Sequence, residues 1–176
     1  NTVFTGNTFN GKLSEVILNT QDGYESRFGV VNMNNVTFAN NTMTATSPLL
    51  NSNGEITINN LTFYNNTVAG DLFRIDGGTL TLTNSTIAGN TSATAAKIHV
   101  VNVLSGTVTL LNNILVGNNG TNGTSAVTVA DGATVNAFYN VYDSADATLN
   151  STNTVGTMAD VLGTTPAFDG KTVAIA

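Results

Sequence analysis

Apolar and polar residues alternate along Gly54-EITINNLTFYNNT, where Ile56 and Ile58 flank Thr57 and Phe63 follows five positions later. Period-two alternation is the signature of a strand with one buried face, and the five-residue offset predicts a bend into a second short strand. The same fourteen positions recur as Gly29-VVNMNNVTFANNT, Gly78-TLTLTNSTIAGNT and Gly106-TVTLLNNILVGNN, at steps of 25, 24 and 28 residues. One column holds Val31, Ile56, Leu80 and Val108, a second Met33, Ile58, Leu82 and Leu110, and a third Phe38, Phe63, Ile87 and Leu115. Between the first two columns stand Asn32, Thr57, Thr81 and Thr109. A less regular third strand follows in each repeat, as Pro48-LL, Asp71-LFRI, Lys97-IHVVNV and Ala126-VTV.

Three short strands per repeat, joined at Asn and Gly corners, predict a parallel β-helix in which each repeat is one turn of a solenoid. β-branched and aromatic residues suit its strands, and Asn and Gly accept the left-handed corner conformations. The pattern predicts about five to six coils of roughly 24 to 28 residues over 1–150, a rod about 25 to 30 Å long at the β-strand spacing. Residues 151–176 are expected to form a C-terminal cap or the start of another segment, with Pro166 and Phe168 closing the open end of the core. Asn1-TVFTGNT matches the second half of a repeat, with Phe4 in the Phe38 column, so the chain starts in mid-coil and is expected to be a fragment of a longer one.

Asparagine recurs in two columns, Asn35, Asn60, Asn84, Asn112 and Asn41, Asn66, Asn90, Asn118. Both are expected to form stacked hydrogen-bonded ladders, as Asn does in cross-β structures. Asn-x-Ser/Thr sequons at Asn35, Asn40, Asn60, Asn65, Asn84, Asn90, Asn119, Asn122 and Asn150 mostly fall out of that repeat.

Composition narrows function. The chain is 41% apolar, 9% charged and carries a net charge of −6, and its five Lys and Arg cannot form a phosphate-binding stripe, which excludes nucleic acid as the expected partner. The absence of cysteine removes disulfides, thiol catalysis and structural zinc by thiolate. No apolar run is long enough for a membrane span and no signal peptide is evident. The eleven Asp and Glu residues are scattered. Asp71 and Asp76 with Arg74 form one candidate group and Asp143 with Asp146 another, both read as structural because catalysis needs converging groups. His99, the single histidine, is expected to point outward and be solvated. No Asp recurs at a fixed repeat position, so a calcium-binding solenoid is excluded, and neither metal nor cofactor is expected. The Thr57, Thr81, Thr109 rank and the Thr79, Thr107 pair are short for ice binding, because Asn32 and Glu55 interrupt them, and read as an ordinary strand face.

GGTLTLTNSTIAGNT at 77–91 and SGTVTLLNNILVGNN at 105–119 resemble the repeats of right-handed parallel β-helix, pectin-lyase-like proteins of the polymorphic outer-membrane and adhesin-like surface group. FYNVYDS at 138–144 and TTPAFDG at 164–170 are similar to the closing segment of such arrays. The resemblance implies cell-surface or secreted display, outer-membrane association and adhesion, without a transferable active site. The expectation is a non-enzymatic structural and adhesion module that meets a glycan or a protein. The loop Asn19-TQDGYESRF, with Asp22, Tyr24, Glu25 and Arg27, is its candidate partner-binding element. The alternative is a fragment of a carbohydrate-active β-helix enzyme, a polysaccharide lyase or glycoside hydrolase whose catalytic coils lie elsewhere.

Overall fold

The computed structural model describes residues 1–9, 29–44, 50–92, 94–95, 98–143 and 151–175, and within these the chain is nearly all β, wound as a parallel β-solenoid of about four turns. The first face is built by the leading half of β3 (Val30–Ala39) and β6 (Glu55–Tyr64), the trailing half of β7 (Phe73–Thr83) and β9 (Ile98–Leu111), and β13 (Thr134–Phe138). Every pair on it is parallel, in the register Val31, Ile56, Leu80, Val108, Val135. The second face stacks β1 (Thr2–Thr5), the trailing halves of β3 and β6, β8 (Thr86–Ala88), β10 (Ile114–Val116), β14 (Val141–Tyr142) and β15 (Thr154–Val155). The third stacks β5 (Leu50–Ser52), the leading halves of β7 and β9, and β12 (Gly123–Val129), while the short β2 (Thr8–Phe9) pairs with β4 (Thr42–Met43) and β11 (Asn119–Gly120) turns back antiparallel on β12.

The columns explain this register. Ile56, Ile58, Phe63, Leu80, Leu82, Ile87, Val108, Leu110 and Leu115 are all fully buried, so a one-residue slip would turn a whole apolar set outward. Phe38 lies between Phe4 and Phe63, at centroid distances of 4.7 and 5.9 Å. The sequence predicts five to six coils, whereas the closed turns number about four; only the second face carries more rungs, from Phe4 to Val155. The third face has four rungs, Leu50, Phe73, Val101 and Val127, and so limits the closed turns.

The recurring glycine is a packing requirement. A Cβ on Gly54 would lie 2.2 Å from the Gly29 carbonyl oxygen, on Gly78 2.1 Å from that of Gly54, and on Gly106 2.5 Å from that of Gly78. Successive corners there stack backbone on backbone, and no side chain fits.

The two asparagine columns differ in direction. Asn41, Asn66, Asn90 and Asn118 are buried, and their amides form a ladder: Asn66 Nδ2 donates to Asn90 Oδ1 at 3.0 Å and Asn90 Nδ2 to Asn118 Oδ1 at 2.7 Å. Each of these Nδ2 groups also donates to a backbone carbonyl, that of Phe38 for Asn66 and of Phe63 for Asn90. Asn35, Asn60, Asn84 and Asn112, expected to behave alike, sit at left-handed corners with φ between 52° and 57° and face solvent. Their amides still link along the outside, Asn60 Nδ2 donating to Asn35 Oδ1 at 2.7 Å. A second buried ladder, absent from the sequence expectations, runs one residue later through Ser85, Asn113, Asn140 and Asn153. Val36 and Leu61 open that corner with apolar side chains in the first turns, which hides the column from a repeat alignment.

The C-terminal segment adds β15 to the end of the second face and Asn153 to the inner ladder, but Phe168, expected at the open end of the core, lies elsewhere. Beyond β15 the segment forms α1 (Met158–Leu162), with a reciprocal capping box between Thr157 and Asp160, and then lies along the outside of the second face. Met158, Val161 and Leu162 pack with Ala88, Val116, Ile114, Val141 and Tyr64, and Phe168 meets the Tyr64 ring at 5.2 Å, far from the terminal rung. The physical reason is a second apolar surface: Ala88 and Val116 alternate with the inward Ile87 and Leu115, so this sheet needs cover on both sides. The left-handed corner column changes there from Asn40 and Asn65 to Gly89 and Gly117, and a Cβ on Gly117 would come within 2.7 Å of Met158 Sδ. Glycine makes the notch that α1 enters.

Candidate functional site

The loop residues Asp22, Tyr24, Glu25 and Arg27 lie outside the described residues, as does Asp146. Asp143 accepts a hydrogen bond from the Gly117 backbone N–H, a structural role on the flank. The polar chemistry that the fold gathers lies on the third face. Asp71, Arg74, Asp76 and His99 are there, four of the ten Asp, Glu, Lys, Arg and His residues among the described ones; the other six are Glu55, Asp131, Asp143, Asp160, Asp169 and Lys171.

Parallel pairing assembles the group. Phe73 stands over Val101 and Arg74 over Asn102, so residues 28 apart in sequence become neighbours across one rung. Inward Phe73 and Ile75 are buried while the alternate Arg74 is half-exposed. Asp71, at the entry to this strand, receives His99: Nδ1 lies 2.7 Å from Asp71 Oδ1, while Asn102 Nδ2 donates to Oδ2 at 2.8 Å. His99 is therefore a partly buried partner of a carboxylate rather than the solvated residue expected from sequence, its side chain 25% exposed. Burial alone would raise the Asp71 carboxyl, but the hydrogen bonds from His99 and Asn102, with the charge of His99, outweigh it and hold it below the ordinary carboxylate range.

Arg74 Nη2 stands 3.9 Å from Asp76 Oδ2, and both side chains are more than a third exposed, so the pair orients more than it stabilises. Arg74 Nε and Asn53 Oδ1 are buried and have no hydrogen-bond partner among the described residues. The face thus offers guanidinium, carboxylate, imidazole and amide groups held on a rigid sheet.

Asp71 has both oxygens engaged, which leaves it an orienting group for His99 rather than a free base or ligand. Ser125 stands on the next rung beyond His99, completing an acid, imidazole, hydroxyl order across three turns, but it is only 1% exposed and presents no nucleophile to solvent. Among the described residues no three His, Asp or Glu side chains converge in a way that could hold a metal ion. No described helix is long and apolar enough to cross a membrane.

The first face carries the outward threonines. Thr57, Thr81 and Thr109 stack between Asn32 and Asn136, and Thr79, Thr107 and Thr134 stack beyond Glu55. A scan against protein-family models and searches of curated proteins and of solved structures returned no match, so the site is read from its own geometry.

Proposed function

We propose that the chain is a structural and adhesion module, secreted or displayed at a cell surface, that presents the third face of its solenoid to a glycan or protein partner. The likeness of its repeats to the pectin-lyase-like, polymorphic outer-membrane and adhesin-like group supports display and an outer-membrane or extracellular setting. The observation that carries the reading is the fixed Asp71, His99, Asn102 and Arg74 set on the third-face sheet. Planar polar side chains held by packed strands hydrogen-bond sugar hydroxyls or peptide groups with little ordering cost. Many weak contacts along a rod then add through avidity.

A glycan array probed with the intact chain, run beside a polysaccharide-depolymerisation assay, tests this. Retention on a set of glycans that Arg74→Ala reduces, with no product formed, is the expected result. Release of saccharide products dependent on His99 would replace the module with the enzyme reading.

A further inference from the structure

A polar cleft on the flank, apart from the third face, lies where the C-terminal tail returns to the second face. Asn35 and Asn60 from the outer corner, Thr37 and Thr62 from adjacent rungs, and Lys171 and Thr172 from the tail line it, together with Asn1 and the apolar Val3. Thr37 and Thr62 point away from the core, one position before the inward Phe38 and Phe63, yet are only 5% exposed because the tail covers them.

The cleft is held in shape from both sides. Thr37 Oγ1 donates to the Lys171 carbonyl at 2.9 Å, tying the tail to the sheet. Asp169 accepts from the Lys171 and Thr172 backbone N–H groups at 2.8 and 2.7 Å and from Thr172 Oγ1 at 3.1 Å, so its carboxylate is spent on the turn that presents Lys171. On the opposite wall Asn60 Nδ2 donates to Asn35 Oδ1, fixing both amides.

Charge decides what fits. In a chain of net charge −6, no described carboxylate lines this cleft and one of its five basic residues does. Lys171 forms no salt bridge with any described carboxylate. An anion here gains a charge-assisted hydrogen bond without a repelling neighbour in the lining, and the surrounding amides and hydroxyls suit hydroxyl groups. We infer that this cleft binds a singly charged acidic sugar, its anionic group on Lys171 and its hydroxyls on the exposed Asn35 and Asn60 side chains. The inference takes from the module reading only that the partner is a saccharide, and it assigns that saccharide to a second site.

The test uses the intact, isotope-labelled chain and follows the Asn35 and Asn60 side-chain amides by NMR. N-acetylneuraminate supplies a carboxylate, glucose 6-sulfate a sulfate, and glucose no charge. The expected result is saturable shifts of these amides with at least one acidic sugar, in the range of about 1 to 10 mM, and roughly tenfold weaker binding in Lys171→Gln, the factor one charge-assisted hydrogen bond carries. Arg74→Ala, on the third face, is expected to leave the affinity unchanged. Equal binding of glucose, an unchanged affinity in Lys171→Gln with its remaining spectrum intact, or no shift at about 50 mM of either acidic sugar overturns the inference. If these fail while Arg74→Ala still reduces array binding, the module reading survives alone; acidic-sugar binding with a blank array would leave the cleft and remove the third-face reading.

Discussion

Asn84 and Asn90 stand six positions apart in one turn and face opposite ways. Asn90 is fully buried; its Nδ2 donates to Phe63 O and Asn118 Oδ1, and its Oδ1 accepts the backbone and side-chain N–H groups of Asn66. Replacing it by alanine strands several buried donors and acceptors, each costing about 1 to 3 kcal/mol when left unpaired. Asn84 is an exposed left-handed corner with φ 52°, a conformation glycine adopts freely. Asn90→Ala is therefore expected to lower the urea-unfolding free energy by about 4 kcal/mol and Asn84→Gly to change it by less than about 1 kcal/mol. Similar losses in both would contradict the inward ladder. Sequence alone shows that both columns recur, yet it does not show direction: an αL corner and a buried amide both select asparagine, for different reasons.

At the scale of elements, the strands β6 to β10 were legible because their apolar columns keep one period, and the site was not. Asp71 and His99 belong to different repeats, separated by the irregular stretch after Asn90 that lengthens one turn from 24 to 28 residues. Only the pairing of β7 with β9 brings them together, so a linear search for clustered catalytic residues passes over them. Likewise Phe168 and Pro166 look like a cap, but the apolar outer surface at Ala88 and Val116 draws the tail to the flank. The β7–β9 tie has a pH signature. The Asp71 carboxyl is held below its ordinary value of 3.8 in the folded state, so its contribution to stability is present above that value and is lost as pH falls through the lowered folded-state value. Between about pH 5 and about pH 2 the melting temperature of the unaltered chain is expected to fall further than that of Asp71→Asn, which has no carboxylate to protonate there. Parallel melting curves for the two would show that the carboxylate is not specifically held.

For the whole molecule, the repeated residues make the rod and the residues that do not repeat give it surfaces with different chemistry. The glycine column, the apolar columns and the amide ladders all depend on one relation, a parallel register with each turn seated directly on the last. Because the chain has no cysteine, engineered disulfides read that register without interference. Thr81 and Thr109 are partners on adjacent rungs, whose spacing of about 4.8 Å lies in the range a disulfide spans, whereas Leu111 is one strand repeat further and beyond about 7 Å from Thr81. The decisive measurement is the oxidation of the Thr81→Cys, Thr109→Cys chain against the Thr81→Cys, Leu111→Cys chain under native conditions. Rapid, complete cross-linking of the first and little of the second is the predicted result; equal cross-linking, or preference for the second, would contradict the solenoid register and every surface built on it.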